Sequence, residues 1–385
     1  MVKQYTSINT MIEDLDLLNS HYLSIKGAQQ ELLSSCKKAL LEKYGEFVPD
    51  LIKKRYESEL RNIISHEFES YYVLAAMVVE KCKELGYLYD LRSFAGGSLI
   101  VYLMGITEIN PLPPHYYCPE CKRVEFVDAL KYPSGFDLNC YDSERKYCPD
   151  CGEPLLGDGH NIPVEFFAGP SGNKFPDFKF DVFKDGLTDL SHSNSMLVKL
   201  KLMEKLTGVS NESIKFDSID IFTFFMDDNF YGLPFDADFA REISDKVYPV
   251  RFSDLVKISG IMHGANVWTD NGEELAGTVC YPEELIAHPD DLMLMLVQHG
   301  VERETAFLIS DIVRKGKVAT LLKSEHEKLL RDCGIPEWYI DSMKKIEYLF
   351  PKSRSTEYMI NCLRMIWYKI YHPVEFYAAV HSNDK

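Results

Sequence analysis

Apolar residues recur at helical spacing over most of this chain. From Asp50 onward, Leu51, Tyr56, Leu60, Ile63 and Ile64 return every few positions with charges between them, the pattern of a helix with one buried face. Val48-Pro49 separates this segment from an earlier one carrying Leu40 and Tyr44. A further helix is predicted from Ser70 to Leu85, with Lys81 and Lys83 in its last turns and Gly86 as its stop. Helical texture resumes near Ser195, where Leu197, Leu200, Met203 and Leu206 are read as one face and Gly208 closes the helix. Two later helices are predicted over 290–298 and 357–371, the last stopped by His372-Pro373. These stripes read as core packing.

Two stretches break the pattern. Residues 110–165 carry Asn110-Pro-Leu-Pro-Pro, two Cys-Pro-acid-Cys tetrads and many Gly, Asp and Pro residues. Such a segment is held by a metal rather than by a core, so metal removal is expected to unfold it. From Pro176 to Val182 the alternation is that of a strand: Phe178, Phe180 and Val182 face one way, Asp177, Lys179 and Asp181 the other.

A hydrophobic fraction of 46% and a charged fraction of 26% exclude wholesale disorder. The longest apolar run, Tyr71 to Val79, has about half the residues a membrane-spanning helix needs. The first residues lack an apolar core of the secretory kind, so a cytoplasmic location is expected. A net charge of −17 argues against a free-standing, non-specific nucleic-acid binder. Between Asp217 and Asp245 lie eight acidic residues and one basic one, Arg241, interleaved with aromatics such as Phe222, Phe225 and Phe230. That stretch is either a folded segment with a solvated acidic face or a docking surface for a basic partner.

Ten cysteines are too few for a disulfide scaffold. Cys118-Pro-Glu-Cys121 and Cys148-Pro-Asp-Cys151-Gly152 stand 26 residues apart. Each Cys-x-x-Cys turn aims two thiolates at one point, and two turns complete a tetrahedral S₄ zinc site with no open position, hence structural rather than catalytic. A redox dithiol and four unconnected buried cysteines are the alternatives, and Cys140 reads as a spare thiol.

Around these knuckles the sequence carries a resemblance. The run from Glu108 through Cys121, then Ser134-Gly-Phe-Asp-Leu, then Cys148 to Gly152, then Asp158-Gly-His-Asn-Ile-Pro-Val-Glu-Phe-Phe, resembles the palm and zinc insert of PolC-type DNA polymerase III alpha subunits. Tyr44-Gly-Glu-Phe-Val-Pro-Asp is similar to that family's approach to the palm. The run from Phe252 to Trp268, Val313-Arg-Lys-Gly-Lys, Pro336-Glu-Trp-Tyr-Ile-Asp-Ser and Phe350-Pro-Lys resemble its fingers. The implied fold is α+β and mostly helical, with a small remnant palm-like sheet and a Cys₄ zinc-ribbon-like insert. The implied division is a helical palm-like region (1–109), the zinc-binding insert (110–165), remnant palm strands (166–205) and a helical fingers-like region (206–385).

The family places a Pro-Asp-x-Asp motif and a third Asp around two Mg²⁺ ions, which activate the primer oxygen and hold the triphosphate. Here the motif reads Pro176-Asp177-Phe178-Lys179, so a lysine stands at the second carboxylate. Asp181 lies four residues beyond Asp177, roughly 13 Å along a strand and too far to substitute. Lys179 is expected to fill the metal's space and neutralise the flanking aspartates. Leu187-Thr188-Asp189-Leu190-Ser191-His192 matches the third-Asp stretch and puts Thr188 at the ligand position. About a hundred family residues between these motifs shrink here to a handful.

The phosphate-cradling loop corresponds to Asp90 through Ser98: Arg92, Gly96 and Ser98 persist, while Asp90-Leu91 replace a leading Gly-Ser. The resemblance makes Arg314, Lys315 and Lys317 candidate template-strand contacts; a solvated helix end is the alternative. Lys344-Lys345, Lys352 and Arg354 are further basic candidates, and His115, His160 and His263 are read as structural.

No catalytic residue and no bound Mg²⁺ are therefore expected. The implied function is a degenerate polymerase fragment acting as a replication-associated binding or regulatory module, suited to a phage or mobile genetic element that competes with or tunes a host polymerase. A replisome protein or the host polymerase is the expected partner, with DNA contacts weak or partner-dependent and no membrane role. The alternatives are a DNA-directed DNA polymerase subunit or half of a split polymerase, and a zinc-stabilised interaction protein with no replication role.

Overall fold

A computed structural model describes residues 24–139, 145–183, 196–216, 219–221, 224, 230–233, 235 and 237–383. Two compact units result: one gathers the described parts of 1–139, 143–214 and 368–385, the other the described parts of 215–367. Phe222 and Phe225 of the acidic-aromatic stretch lie outside the described residues.

The first unit begins with three helices: α1 (Ala28–Tyr44), α2 (Asp50–Ser65) and α3 (Glu69–Leu85). Steps of four along α1 bury Ala28, Leu32, Cys36, Leu40 and Tyr44 in one stripe. Helix α2 opens after Pro49 with Asp50 in its first turn, where a negative charge suits the exposed N–H groups. Helix α3 ends at Gly86 in the left-handed conformation (φ 69°), with Tyr87 N–H folded back onto the Cys82 carbonyl at 2.8 Å. Two residues read as buried are not. Leu51 is exposed while Ile52 enters the core, and Leu206 is exposed while Leu200 and Met203 are buried. At about 100° per residue, Leu51 stands half a turn away from Leu60, and Leu206 half a turn away from Leu197.

Strand β1 (Leu88–Leu91) leads through a 3₁₀ turn over Phe94–Gly97 into the short helix α4 (Leu99–Leu103). In the insert, β2 (His115–Tyr117) pairs antiparallel with β3 (Val124–Phe126) on one side and β4 (Leu156–Asp158) on the other. The insert thus has a sheet base, plus a small apolar cluster of Cys118, Cys148 and Leu155 with Tyr116 against it. A Cβ on Gly157 would come within 2.0 Å of the Gly135 carbonyl oxygen, so the 135–139 turn lies on β4 only because both positions are glycine.

A buried pair keys β4 to α1. Lys43 Nζ lies 2.8 Å from Asp158 Oδ2 and 3.7 Å above the Tyr117 ring. Asn110 Nδ2 donates to Asp158 at 2.8 Å and to the Tyr44 hydroxyl at 2.9 Å, while Gly159 N–H donates to Asp158 Oδ1 at 2.7 Å. Burial opposes both charges, but each outweighs it for the other: the Asp158 carboxyl is held far below the usual range and the Lys43 ammonium above its own.

Strand β5 (Phe180–Phe183) pairs antiparallel with β1, with Leu91 opposite Phe180 and Asp90 opposite Asp181. It begins later than the alternation from Pro176 indicates. Its partner turns away after Arg92, whose N–H reaches the Lys179 carbonyl at 2.7 Å, so among the described residues 176–178 have no neighbouring strand to pair with. Helix α5 (Met196–Thr207) follows, closed by Gly208 at φ 74°.

The second unit is helical. Its longer helices are α6 (Asp238–Val247), α7 (Phe252–His263), α8 (Pro289–Gln298), α9 (Arg303–Arg314), α10 (Ser324–Asp332), α11 (Glu337–Lys345) and the first part of α12 (Lys352–Tyr371). Helix α12 starts five residues before the expected Glu357. Its first turn is polar yet buried, which hydrophobic periodicity does not register. Lys352 Nζ pairs with Asp291 Oδ1 at 2.7 Å, Lys352 N–H donates to Asp290 Oδ2 at 3.0 Å, and Ser355 Oγ meets His288 Nε2 at 2.9 Å. Gly260 of α7 lies against that histidine, and a Cβ there would fall 2.3 Å from Nε2. Helix α13 (Pro373–Val380) returns to the first unit and packs on α5.

Asp158→Asn leaves the Lys43 ammonium buried without its counter-ion, and a loss of about 3 kcal/mol in urea unfolding at pH 7 is expected. Because the folded-state pKa is depressed, that contribution is present above the unfolded carboxylate value of about 4 and fades as pH falls below it. The gap between variant and parent should therefore shrink in acid.

Candidate functional site

The two cysteine knuckles share one backbone shape. In the first, Lys122 N–H returns to the Cys118 carbonyl at 3.0 Å and Cys118 N–H to the Arg123 carbonyl at 2.8 Å. In the second, Gly152 N–H returns to Cys148 at 2.9 Å and Cys148 N–H to Glu153 at 2.8 Å. The fifth position of each turn is left-handed, Lys122 at φ 63° and Gly152 at φ 79°. Lysine adopts this conformation at a cost of roughly 1–2 kcal/mol, and no local signal at Lys122 predicts it.

These turns bring the four Sγ atoms within 4.8 Å of one another. Cys121 and Cys148 are 3.3 Å apart, Cys118 and Cys151 3.4 Å, and Cys121 and Cys151 3.8 Å. A tetrahedral zinc with bonds of about 2.3 Å sets its sulfurs about 3.8 Å apart. Four converging thiols fit a metal ion such as zinc, and soft sulfur donors disfavour magnesium or calcium. Burial works against the Cys148 thiolate, but N–H groups of Asp150 and Cys151 outweigh it and hold that thiol down to about 7.

The carboxylate strand is a second constellation. Phe178 is buried against Tyr72 and Phe167, with ring centroids 5.3 and 5.5 Å away, which turns Asp177 and Lys179 outward. Lys179 Nζ lies 3.3 Å from Asp177 Oδ2, and Arg92 Nη1 lies 2.9 Å from Asp181 Oδ2. Each of these aspartates thus has a cation of the chain itself as neighbour. Thr188, with the whole 187–192 stretch, lies outside the described residues.

Arg92, Gly96 and Ser98 do not form one open cradle. Arg92 reaches the strand, Gly96 is buried in the 3₁₀ turn, and Ser98 is buried with its hydroxyl donating to Glu59 Oε2 at 2.6 Å. Glu59 also accepts the N–H groups of Leu99 at 3.2 Å and Ile100 at 3.3 Å. A carboxylate of α2 therefore sits where the first amides of α4 would otherwise meet an outside anion. Arg55 pairs with Glu59 and donates to the Gly97 carbonyl at 2.6 Å. Sequence reading missed Glu59; its one signal was an acid adjoining the buried stripe at Leu60 and Ile63.

Most of the basic candidates are also engaged within the chain. Arg314 donates to Asp311 through Nε at 2.9 Å and Nη2 at 2.7 Å, and Lys315 pairs with the same carboxylate. Lys317 is exposed at the start of a short helix. Lys344 pairs with Glu327 and Asp341, Lys345 with Glu274, and Arg354 with Glu357. The three histidines sit in structural contacts: His115 against the Pro113 carbonyl, His160 against Ser134 Oγ, and His263 stacked on Phe350.

Metal analysis of the purified chain is expected to give near one zinc per chain, lost in Cys148→Ser. The sheet and the Lys43–Asp158 pair hold the base of the insert. Chelation should therefore release the knuckles, read as faster amide exchange over 118–124 and 145–155, before the strands open.

The sequence model of the bacterial DNA polymerase III alpha NTPase domain matches residues 30–190, and that of the alpha-subunit finger domain matches 194–333. DNA polymerase III PolC-type of Bacillus subtilis is 27% identical over 98% of this chain and 35% of its own length. The Thermotoga maritima protein of that name is 28% identical over 98% of this chain and 37% of its own, and that of Listeria innocua 28% over 92% and 33%. This chain spans about a third of the length of these relatives. The Bacillus alignment covers 509 positions against 385 residues here, so at least 124 positions of the relative face gaps in this chain. The chain belongs to the bacterial DNA polymerase III alpha family, as a shortened relative of its PolC-type members.

Proposed function

We propose that this chain is a catalytically degenerate PolC-like fragment that serves DNA replication as a binding or regulatory module. The observation that carries the reading is Lys179 paired to Asp177 at 3.3 Å, in the segment leading into β5 where the family resemblance places a metal-binding carboxylate. A cation there repels Mg²⁺ and takes up the charge that would attract it. Two-metal phosphoryl transfer needs anionic ligands to confine two strongly hydrated ions, and loss of that electrostatic stabilisation costs many orders of magnitude in rate. Arg92 on Asp181 and Glu59 on the α4 amides support the reading. Gaps opposite at least 124 positions of a relative support it as well.

In this reading the 1–109 and 166–205 regions keep a palm-like body and 206–385 a fingers-like one. The 110–165 insert is held by a structural zinc on Cys118, Cys121, Cys148 and Cys151, and Mg²⁺ has no role. Among the described residues no helix is long and apolar enough to cross a membrane, and a cytoplasmic setting is proposed on the strength of the relatives' replication names. The partner is a replisome protein or a host polymerase, and a phage or mobile genetic element is a fitting source. A split polymerase completed by another chain is the second reading, favoured by Asp177, which retains one carboxylate of the motif.

Primer extension with all four nucleotides, in Mg²⁺ and separately in Mn²⁺, is expected to give no product, and Lys179→Asp is expected not to restore it. Template-dependent extension abolished by Asp177→Ala would overturn the reading in favour of the split polymerase. Capture of replication proteins from a Gram-positive lysate supports the module; their absence favours an interaction protein outside replication.

With a net charge of −17 and Arg314 and Lys315 sharing Asp311, DNA binding should be weak and steeply salt-dependent. Tight binding at physiological salt that survives charge reversal of Arg314, Lys315 and Lys317 would contradict this.

A further inference from the structure

The four sulfurs of the cysteine cluster are not equivalent. Cys121 and Cys151 are exposed, whereas Cys118 and Cys148 are buried. Each exposed sulfur has a buried sulfur of the opposite knuckle close by: Cys148 lies 3.3 Å from Cys121, and Cys118 lies 3.4 Å from Cys151. The two exposed sulfurs are farther apart, at 3.8 Å. An oxidant arriving from solvent meets Cys121 or Cys151 first, and a buried resolving sulfur stands within 3.4 Å of each in the other knuckle.

We propose that this cluster is an oxidant-sensitive modification site, in which hydrogen peroxide oxidises Cys121 or Cys151 and the buried sulfur across the cluster closes a disulfide, Cys121–Cys148 or Cys118–Cys151, that expels the metal. The inference rests on the zinc occupancy proposed above. The exposed thiolate attacks one peroxide oxygen, the O–O bond breaks, hydroxide leaves and a sulfenic acid forms. The buried thiolate then attacks that sulfur, the S–S bond forms, the S–O bond breaks and a second hydroxide leaves. Two electrons pass from sulfur to peroxide, and the two hydroxides take up protons from water. Zinc loses two anionic ligands and dissociates, because two remaining thiolates do not hold it tetrahedrally.

Strands β2, β3 and β4 and the Lys43–Asp158 pair involve none of these sulfur atoms. Oxidation therefore opens the tip of the insert and leaves its base in place. A dithiol reductant with added zinc reverses the change.

The experiment takes the whole chain, measures its zinc, adds hydrogen peroxide in modest excess, follows released zinc with a chromogenic chelator, and maps disulfides by non-reducing peptide mass spectrometry. The expected result is release of about one zinc per chain together with Cys121–Cys148 or Cys118–Cys151 linked peptides, both reversed by dithiothreitol and zinc. Cys140→Ser is run in parallel and should give the same map. Zinc that stays bound, or links within a knuckle, between Cys121 and Cys151, or to Cys140, overturns this inference alone. A chain that holds no zinc before peroxide is added overturns both this inference and the metal reading.

Discussion

A charge taken out of water must be given opposite charges and hydrogen-bond partners, and three carboxylates, buried Asp158 and Glu59 and half-buried Asp291, organise this protein in that way. Asp158 gathers Lys43, Asn110 and the Gly159 amide, and so sets the insert on the first helix. Glu59 gathers Arg55, Ser98 and the amides of Leu99 and Ile100, and so fixes the turn between β1 and α4. Asp291 gathers Lys352 and His288, and so fixes the start of α12. Each arrangement ties segments distant in sequence, because removing any partner leaves a buried charge uncompensated.

The same rule shapes the surface that bears on function. Asp177 and Asp181 are only half-buried and could have remained solvated, yet each has an intramolecular cation beside it. Exposed pairs of this kind contribute little to stability. Their weight lies in what they do to the local field, since the lysine and arginine cancel the negative charge that would recruit a divalent ion. Likewise Glu59 occupies helix-terminal amides from within. Sites suited to ions and anions are satisfied by the chain's own side chains, which is the physical basis of the function proposed above.

The cysteine centre follows a different logic. Its knuckles have scant apolar support of their own, Leu155 and Tyr116 with the two buried cysteines. A metal is the economical way to hold such a tip, because each thiolate it binds replaces hydrophobic area that a segment of this composition lacks. The sheet beneath supplies the rest through backbone pairing.

What the sequence determined by itself was local. Helices ending at Gly86 and Gly208, the paired knuckles, and the alternation of Phe178 and Phe180 against Asp177 and Lys179 all depend on spacings of a few residues, and the family likeness rests on such runs. Where local reading failed, it failed by geometry: a stripe counted in threes drifts round the helix and turns Leu206 outward, and Leu51, nine residues before Leu60, stands half a turn from the buried face. Only the tertiary structure could decide the rest. The buried polar start of α12 and the occupation of the α4 amides by Glu59 join residues far apart in the chain, and so does the pairing of Arg92 with Asp181. Hydrophobic periodicity carries no trace of a polar group buried by partners that only folding brings beside it.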